Sequence, residues 1–151
     1  QPKLVSALFL VTGVILLLSR FFRGSLDYSK IKAKQGIITG IAQGLGVFPG
    51  ISRSGITISA ALFSGMQREK AGEFAFLISI PAIFGALLLE LKDAEALFAQ
   101  VNFWTMLSGF LAAFIVGLIS LLLLLRLLKR GNFHLFALYL IPLGLLGLLL
   151  L

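Results

Sequence analysis

The chain has 151 residues, 59% hydrophobic and 13% charged, with a mean hydropathy of +1.06. That is more apolar surface than one small water-soluble core hides, so the composition points to an integral membrane protein. The absence of cysteine excludes disulfides and thiolate metal sites, and the single histidine, His134, excludes a His-rich metal centre built by this chain. A net charge of +7 does not indicate nucleic acid here, because the basic residues fall in loops between apolar runs, where positive charge records orientation in a membrane.

A spanning helix takes about 20 mostly apolar residues, and the first candidate is Leu4 to Ser19. A basic loop follows, Arg20 to Lys34, with Arg20, Arg23, Lys30, Lys32 and Lys34 against Asp27. The next segment, Gln35 to Met66, is apolar but punctuated by Gly36, Gly40, Gly44, Gly46, Pro49, Gly50, Gly55 and Gly65. A proline inside a helix removes a backbone bond and clashes with the preceding turn. The pattern therefore predicts helix Gly36–Val47, loop Phe48–Ser54 and helix Gly55–Met66, each arm about 18 Å long, or half a bilayer. Gln67, Arg68, Glu69 and Lys70 read as a solvated turn. A second span, Phe74 to Leu91, is flanked by Glu73 and Glu90 as interfacial residues and is expected to kink at Ser79, Ile80 and Pro81. The loop Lys92 to Asn102 carries Asp93 and Glu95 against one lysine. A third span, Phe103 to Leu125, leads to a loop, Arg126 to His134, with Arg126, Lys129 and Arg130 and no acid; His134 reads as an interface residue. Leu135 to Leu151 is the fourth span.

Both basic loops should face the cytoplasm, so the number of crossings between them must be even. The second and third spans supply two, and Gln35 to Met66 therefore crosses either not at all or twice. Two half-length arms fit a re-entrant hairpin over residues 35–66 that enters and leaves on the cytoplasmic side, with both termini outside. The expected architecture is one all-α membrane domain of four transmembrane helices plus this helix-loop-helix hairpin. Small residues at helical spacing, Gly36, Gly40 and Gly44, then Gly109, Ala113 and Gly117, then Gly144 and Gly147, allow close helix approach in lipid. Packing within the bundle is the first reading of these patterns, and a homodimer the second.

The stretch from Phe48 to Thr57, FPGISRSGIT, holds the chemistry. Irregular backbone at membrane depth is tolerated where it is buried in protein or lines a wet cavity. An arginine there costs a few kcal/mol and needs a partner. The fork of Arg53 matches phosphate or carboxylate, Ser52, Ser54 and Thr57 add hydroxyls, and a helix beginning near Gly55 offers free N–H groups. Together they form an oxyanion cradle suited to phosphate. The structural alternative pairs Arg53 with Glu73 or Glu90 and leaves the serines as caps or interhelical glue. No G-x-x-x-x-G-K-[ST] pattern is present. The Ser-Arg pair of the type 2 phosphatidic acid phosphatases needs a histidine where this chain has Ser59.

From Gly40 to Thr57, GIAQGLGVFPGISRSGIT, through Arg68 and Glu69 to FAFLISIP at Phe74–Pro81, the sequence resembles the undecaprenyl-diphosphatases, the bacitracin-resistance phosphatases of bacterial inner membranes. The likeness covers nearly all of the chain but only the C-terminal half of such an enzyme. It implies hydrolysis of a polyprenyl diphosphate, undecaprenyl diphosphate, to the monophosphate carrier recycled in cell-wall synthesis. It also implies two inverted repeats, each with a re-entrant hairpin, meeting at a site open to the periplasm. On this resemblance Arg53 binds the diphosphate with Ser52, Ser54 and Thr57 beside it, and Gln43, Pro49, Gly50, Ile51 and Gly55 belong to the substrate-binding surface. The family's first half carries an E-x-x-x-E motif and a serine-rich loop ending in Gly-His, and neither occurs here. A divalent metal, magnesium or calcium, would then be held mainly by the missing N-terminal half, and this chain alone would lack activity. A half of a transporter or flippase that binds a phosphorylated lipid is the alternative from another functional class.

Overall fold

Apolar runs of this length fold as α-helices, which satisfy every backbone N–H and C=O within one segment. The computed structural model describes residues 2–91 and 102–150. Among them the helices are α1 (Pro2–Ser19), α2 (Ala33–Leu45), α3 (Arg53–Phe63), α4 (Arg68–Glu90), α5 (Phe103–Lys129) and α6 (Ala137–Leu150), with 3-10 turns at Tyr28–Lys30 and Phe133–Phe136. Four helical stretches are long and apolar enough to cross a membrane: Pro2–Ser19, Arg68–Glu90, Phe103–Lys129 and Phe133–Leu150. No strand occurs among the described residues, which contain one isolated β-bridge, Leu26 to Met66. The loop expected between Lys92 and Asn102 lies outside the described residues except for Asn102, whose side chain caps α5 by accepting from the Trp104 amide at 3.2 Å.

The helix limits differ from those expected, and each difference has a local cause. The Lys32 amide donates to Gln35 Oε1 at 3.0 Å, which starts α2 three residues early. Ser52, not a residue near Gly55, caps α3, so Arg53 and Ser54 stand in its first turn instead of in the loop. Arg68, Glu69 and Lys70 are not a solvated turn but the first turn of α4. There Arg68 Nη2 donates to the Arg20 carbonyl at 2.8 Å, and Glu69 and Lys70 pair with Lys129 and Glu73. Both Pro81 and Pro142 are accommodated inside helices.

α2 and α3 form a hairpin whose outer ends lie together. Gln35 Nε2 donates to the Ser64 carbonyl at 3.3 Å, and Leu26 exchanges backbone bonds with Gly65 and Gln67 at 3.0 Å. The turn between the helices lies against the other half of α1. At Gly50, where φ is +96°, an added Cβ would run into Val5 O and Leu8, so the turn needs glycine for both its conformation and its packing. Gly50 thus sits about 17–21 Å along α1 from its Ser19 end. Six of the eleven residues of α3 are buried, and Ile58, Ala61 and Leu62 join Leu16, Met66, Ala71, Ala75, Leu128, Phe133 and Leu140 in the core. By contrast, Leu128 is the one buried residue of α5.

The small-residue patterns divide. An added Cβ at Gly144 would come within 2.8 Å of Leu10, and one at Gly147 would collide with Ser6, so these two glycines let α6 press against α1. At Gly36, Gly40, Gly44, Gly109 and Gly117 an added Cβ would meet nothing within 4 Å. Packing within the chain therefore accounts for one of the three patterns and not for the other two. At the loop end, Tyr28 Oη donates to Glu73 Oε2 at 3.0 Å. Partial desolvation, then the Glu73 carboxylate and Asp27, push the Tyr28 phenol up to about 12.

Gly144→Val should lower the thermal midpoint of the chain in detergent by several degrees, at about 2–4 °C per kcal/mol. Gly40→Ala should leave the midpoint unchanged or raise it, since alanine favours a helix interior by about 0.5–1 kcal/mol; equal losses in the two variants would contradict this packing. The raised phenol pKa contributes stability that is full below pH 10 and is lost as pH rises through about 12. Absorbance titration in a Tyr139→Phe background should place the Tyr28 transition near the upper value, and Glu73→Gln should bring it down.

Candidate functional site

Ser52 opens the site. Its backbone is extended (φ −70°, ψ 105°), its Oγ accepts from the Gly55 amide at 3.2 Å, and its own amide donates to Thr12 Oγ1 at 3.4 Å. The first amides of any helix lack intrahelical acceptors. With the Gly55 amide taken by Ser52 Oγ and the Ile56 amide by the Ser52 carbonyl at 2.9 Å, those of Arg53 and Ser54 remain at the positive end of the α3 dipole.

Gly46 makes room for the arginine. A Cβ there would lie 2.7 Å from Arg53 Cα and 2.9 Å from its Cγ, so the end of α2 packs directly on the Arg53 stem. Arg53, Ser54, Thr57 and Gln43 then line one cavity of about 350 Å³. Its remaining wall is largely apolar, with Ile58, Ala75, Phe76 and Ile83 from α3 and α4 and Leu121 and Leu124 from α5. Gln43 is held by donating from Nε2 to the Ile78 carbonyl at 2.9 Å. That carbonyl is one residue beyond Leu77 O, which loses its helical donor because Pro81 has no N–H.

The hydroxyls are not equivalent. Thr57 Oγ1 donates to the Arg53 carbonyl at 2.6 Å and is buried, so it steadies the first turn and leaves only acceptor capacity toward the cavity. Ser52 lines a smaller cavity of about 70 Å³ on the other side of the turn, together with Ser54 and Gly55. Ser54 borders both cavities, and among the described residues its hydroxyl makes no hydrogen bond. Pro49, Gly50 and Ile51 form the turn itself; they line neither cavity, and Gly50 packs on α1. The sequence pattern did not single out Gly46 as a site residue, whereas Ser79, read as part of a bend that shapes the cavity around the loop, is in the cavity lining. A Gly seven positions before an Arg across a Pro-Gly turn is the signal that was available for Gly46.

The alternative pairing of Arg53 with Glu73 or Glu90 is not formed. The ion pairs among the described residues are Lys70–Glu73 at 3.0 Å and Lys129–Glu69 at 2.6 Å. Arg53 is exposed and faces the cavity without a carboxylate in its lining. A guanidinium, the Ser54 hydroxyl and the Gln43 amide suit an anion. They do not fit a divalent cation, which takes oxygen donors that include carboxylates, and no group of three His, Asp or Glu among the described residues is placed to hold one.

Residues 1–146 match the family described as bacitracin resistance protein BacA. The chain is 50% identical over 143 residues to an undecaprenyl-diphosphatase of Treponema denticola, covering 95% of this chain and 53% of that protein. It is 44% identical over 147 residues to one of Desulforapulum autotrophicum, covering 97% and 53%. It is 43% identical over 144 residues to one of Methanothermobacter thermautotrophicus, covering 93% and 79%. The chain thus spans about half the length of the first of these curated relatives. A match over nearly the whole chain places it in the bacitracin resistance protein BacA family.

Proposed function

We propose that this chain is the C-terminal, phosphate-binding half of an undecaprenyl-diphosphate phosphatase, with the diphosphate held at the start of α3 and the prenyl chain along the apolar wall. The observation that carries this reading is Arg53. It stands at a helix N-terminus, without a carboxylate partner among the described residues, at the polar end of a cavity otherwise lined by Ile58, Phe76, Ile83, Leu121 and Leu124. An amphiphile with an anionic head matches both ends, and the names of the relatives supply the head as a diphosphate.

Arg53 neutralises charge on the diphosphate oxygens and donates to them bidentately. The Arg53 and Ser54 amides and the Ser54 hydroxyl add neutral donors, Thr57 braces the turn that aims them, and Gln43 fixes the α2 end against α4. Hydrolysis transfers the terminal phosphoryl group to water, breaks the bond to the bridging oxygen, and releases inorganic phosphate and the prenyl monophosphate. The residues that activate water, and any divalent ion, belong on this reading to the other half of the fold. That half would cover the open glycine face of α2 and the bare length of α5.

The hairpin is re-entrant on the same reading. It enters from the cytoplasmic side of a bacterial inner membrane, turns at depth, and presents its tip toward the periplasm. The shared position of its outer ends and the basic residues around them support this.

Binding of a short-chain prenyl diphosphate to the chain in nanodiscs should weaken at least about tenfold in Arg53→Ala, with partial recovery in Arg53→Lys. Equal affinity in all three would remove Arg53 from the site. The chain alone should release no phosphate with or without magnesium, and metal-dependent release would show that it carries a complete active centre. The sequence has no cysteine, so single substitutions report topology. Ser29→Cys, Gln67→Cys and Arg126→Cys should react with an impermeant maleimide from one side of the membrane, the cytoplasmic one. Labelling of Gln67→Cys from the opposite side to Ser29→Cys would exclude the hairpin.

A further inference from the structure

A second anion site lies away from Arg53, where three apolar helices end. The residues just after α1, the first residue of α4 and the turn after α5 converge on a polar cavity of about 460 Å³. Arg20, Arg23, Arg68 and Arg130 line it with Asn132 and His134, and no acidic residue is among its lining.

Orientation in a membrane does not explain this composition. The rule that places positive loops on the cytoplasmic side counts lysine and arginine alike. Yet four of the six arginines in the sequence line this cavity, and none of the seven lysines does. Arginine differs from lysine in its planar fork of donors, which fits phosphate oxygens in pairs. The cavity is also built around one of these groups. Arg68 Nη2 donates to the Arg20 carbonyl at 2.8 Å, and Gly131, at φ +75°, lies so close to Arg68 that a Cβ there would strike the guanidinium. Arg68 is thereby fixed between the end of α1 and the turn after α5. His134 is held by donating from Nδ1 to the Gly131 carbonyl at 3.2 Å, which leaves Nε2 as its free ring nitrogen. Four like charges gathered without a lining acid repel one another, and a bound anion relieves that repulsion.

We propose that this arginine cavity binds a phosphate group at the membrane surface, and that the group is the headgroup of an anionic lipid whose acyl chains lie along the neighbouring apolar helices. The site is separate from the Arg53 cradle, since the two cavities share no residue. Basic pockets between helix ends are suited to such headgroups.

The test uses the full chain in nanodiscs or micelles and reads lipid retention by native mass spectrometry. The probes are phosphatidylglycerol and phosphatidylcholine, with inorganic phosphate as competitor. The chain should retain phosphatidylglycerol in preference to phosphatidylcholine. Arg23→Gln with Arg130→Gln should reduce that preference on the order of tenfold, while the charge-matched Lys30→Gln with Lys32→Gln, outside the cavity, leaves it intact. Arg68 is kept because it braces the backbone, and circular dichroism checks that the double variant folds. Failure of millimolar inorganic phosphate to displace the lipid supports the headgroup, whereas displacement overturns the lipid assignment in favour of a soluble phosphate. Equal retention of both lipids, or no change in a folded double variant, overturns the site.

Discussion

A turn set among apolar helices has to satisfy most of its backbone polar groups, because an unpaired N–H or C=O away from water costs a few kcal/mol. The segment between α2 and α3 meets that demand step by step. Val47, Phe48 and Ile51 donate back to Gly44, Leu45 and Phe48 at 3.1–3.2 Å, Ser52 donates to Thr12, and Gly55 is capped by Ser52. What the turn does not satisfy is the pair of amides at Arg53 and Ser54. The capping arrangement that closes the turn thus leaves unpaired donors next to the guanidinium.

The same geometry explains how much of the molecule was legible in its sequence. The four apolar helices were, because length and hydropathy alone separate them from the rest. The helix-turn-helix of α2 and α3 was, because the glycine punctuation and the Pro-Gly turn depend only on composition. Its limits were not: Ser52 as a cap rather than a loop residue is decided by one side-chain bond, and Gly55 looked equally able to begin the helix. Arg68 was misread because a charged residue beside Glu and Lys resembles a solvated turn. Its backbone partners, Arg20 and Gly131, lie about 50 and 60 residues away in sequence. Small residues at helical spacing said that a helix can be approached closely. Only the tertiary packing separates Gly144, which meets Leu10, from Gly40, which meets nothing within 4 Å.

The site residues divide along the same line. The motif brought Arg53, Ser54, Thr57 and Gln43 to one cavity, but it could not rank the hydroxyls. Thr57 is buried and its proton is committed to the Arg53 carbonyl. Such back-bonding is a common use for threonine in a helix, and nothing in the letters of the motif distinguishes it from a ligand contact.

The two arginine environments then carry opposite electrostatic logic. At the helix ends, four guanidiniums gather in one polar cavity, so the cluster acts through its summed field. Arg53 has no such company. Its cavity wall is apolar, its helix end adds further positive potential, and no described carboxylate compensates it. In an apolar surrounding, a charge so placed is stabilised mainly by whatever anion occupies the cradle, and an interaction there is screened far less than one at the surface. On the proposed function, the phosphate chemistry thus rests on one of the chain's thirteen basic side chains.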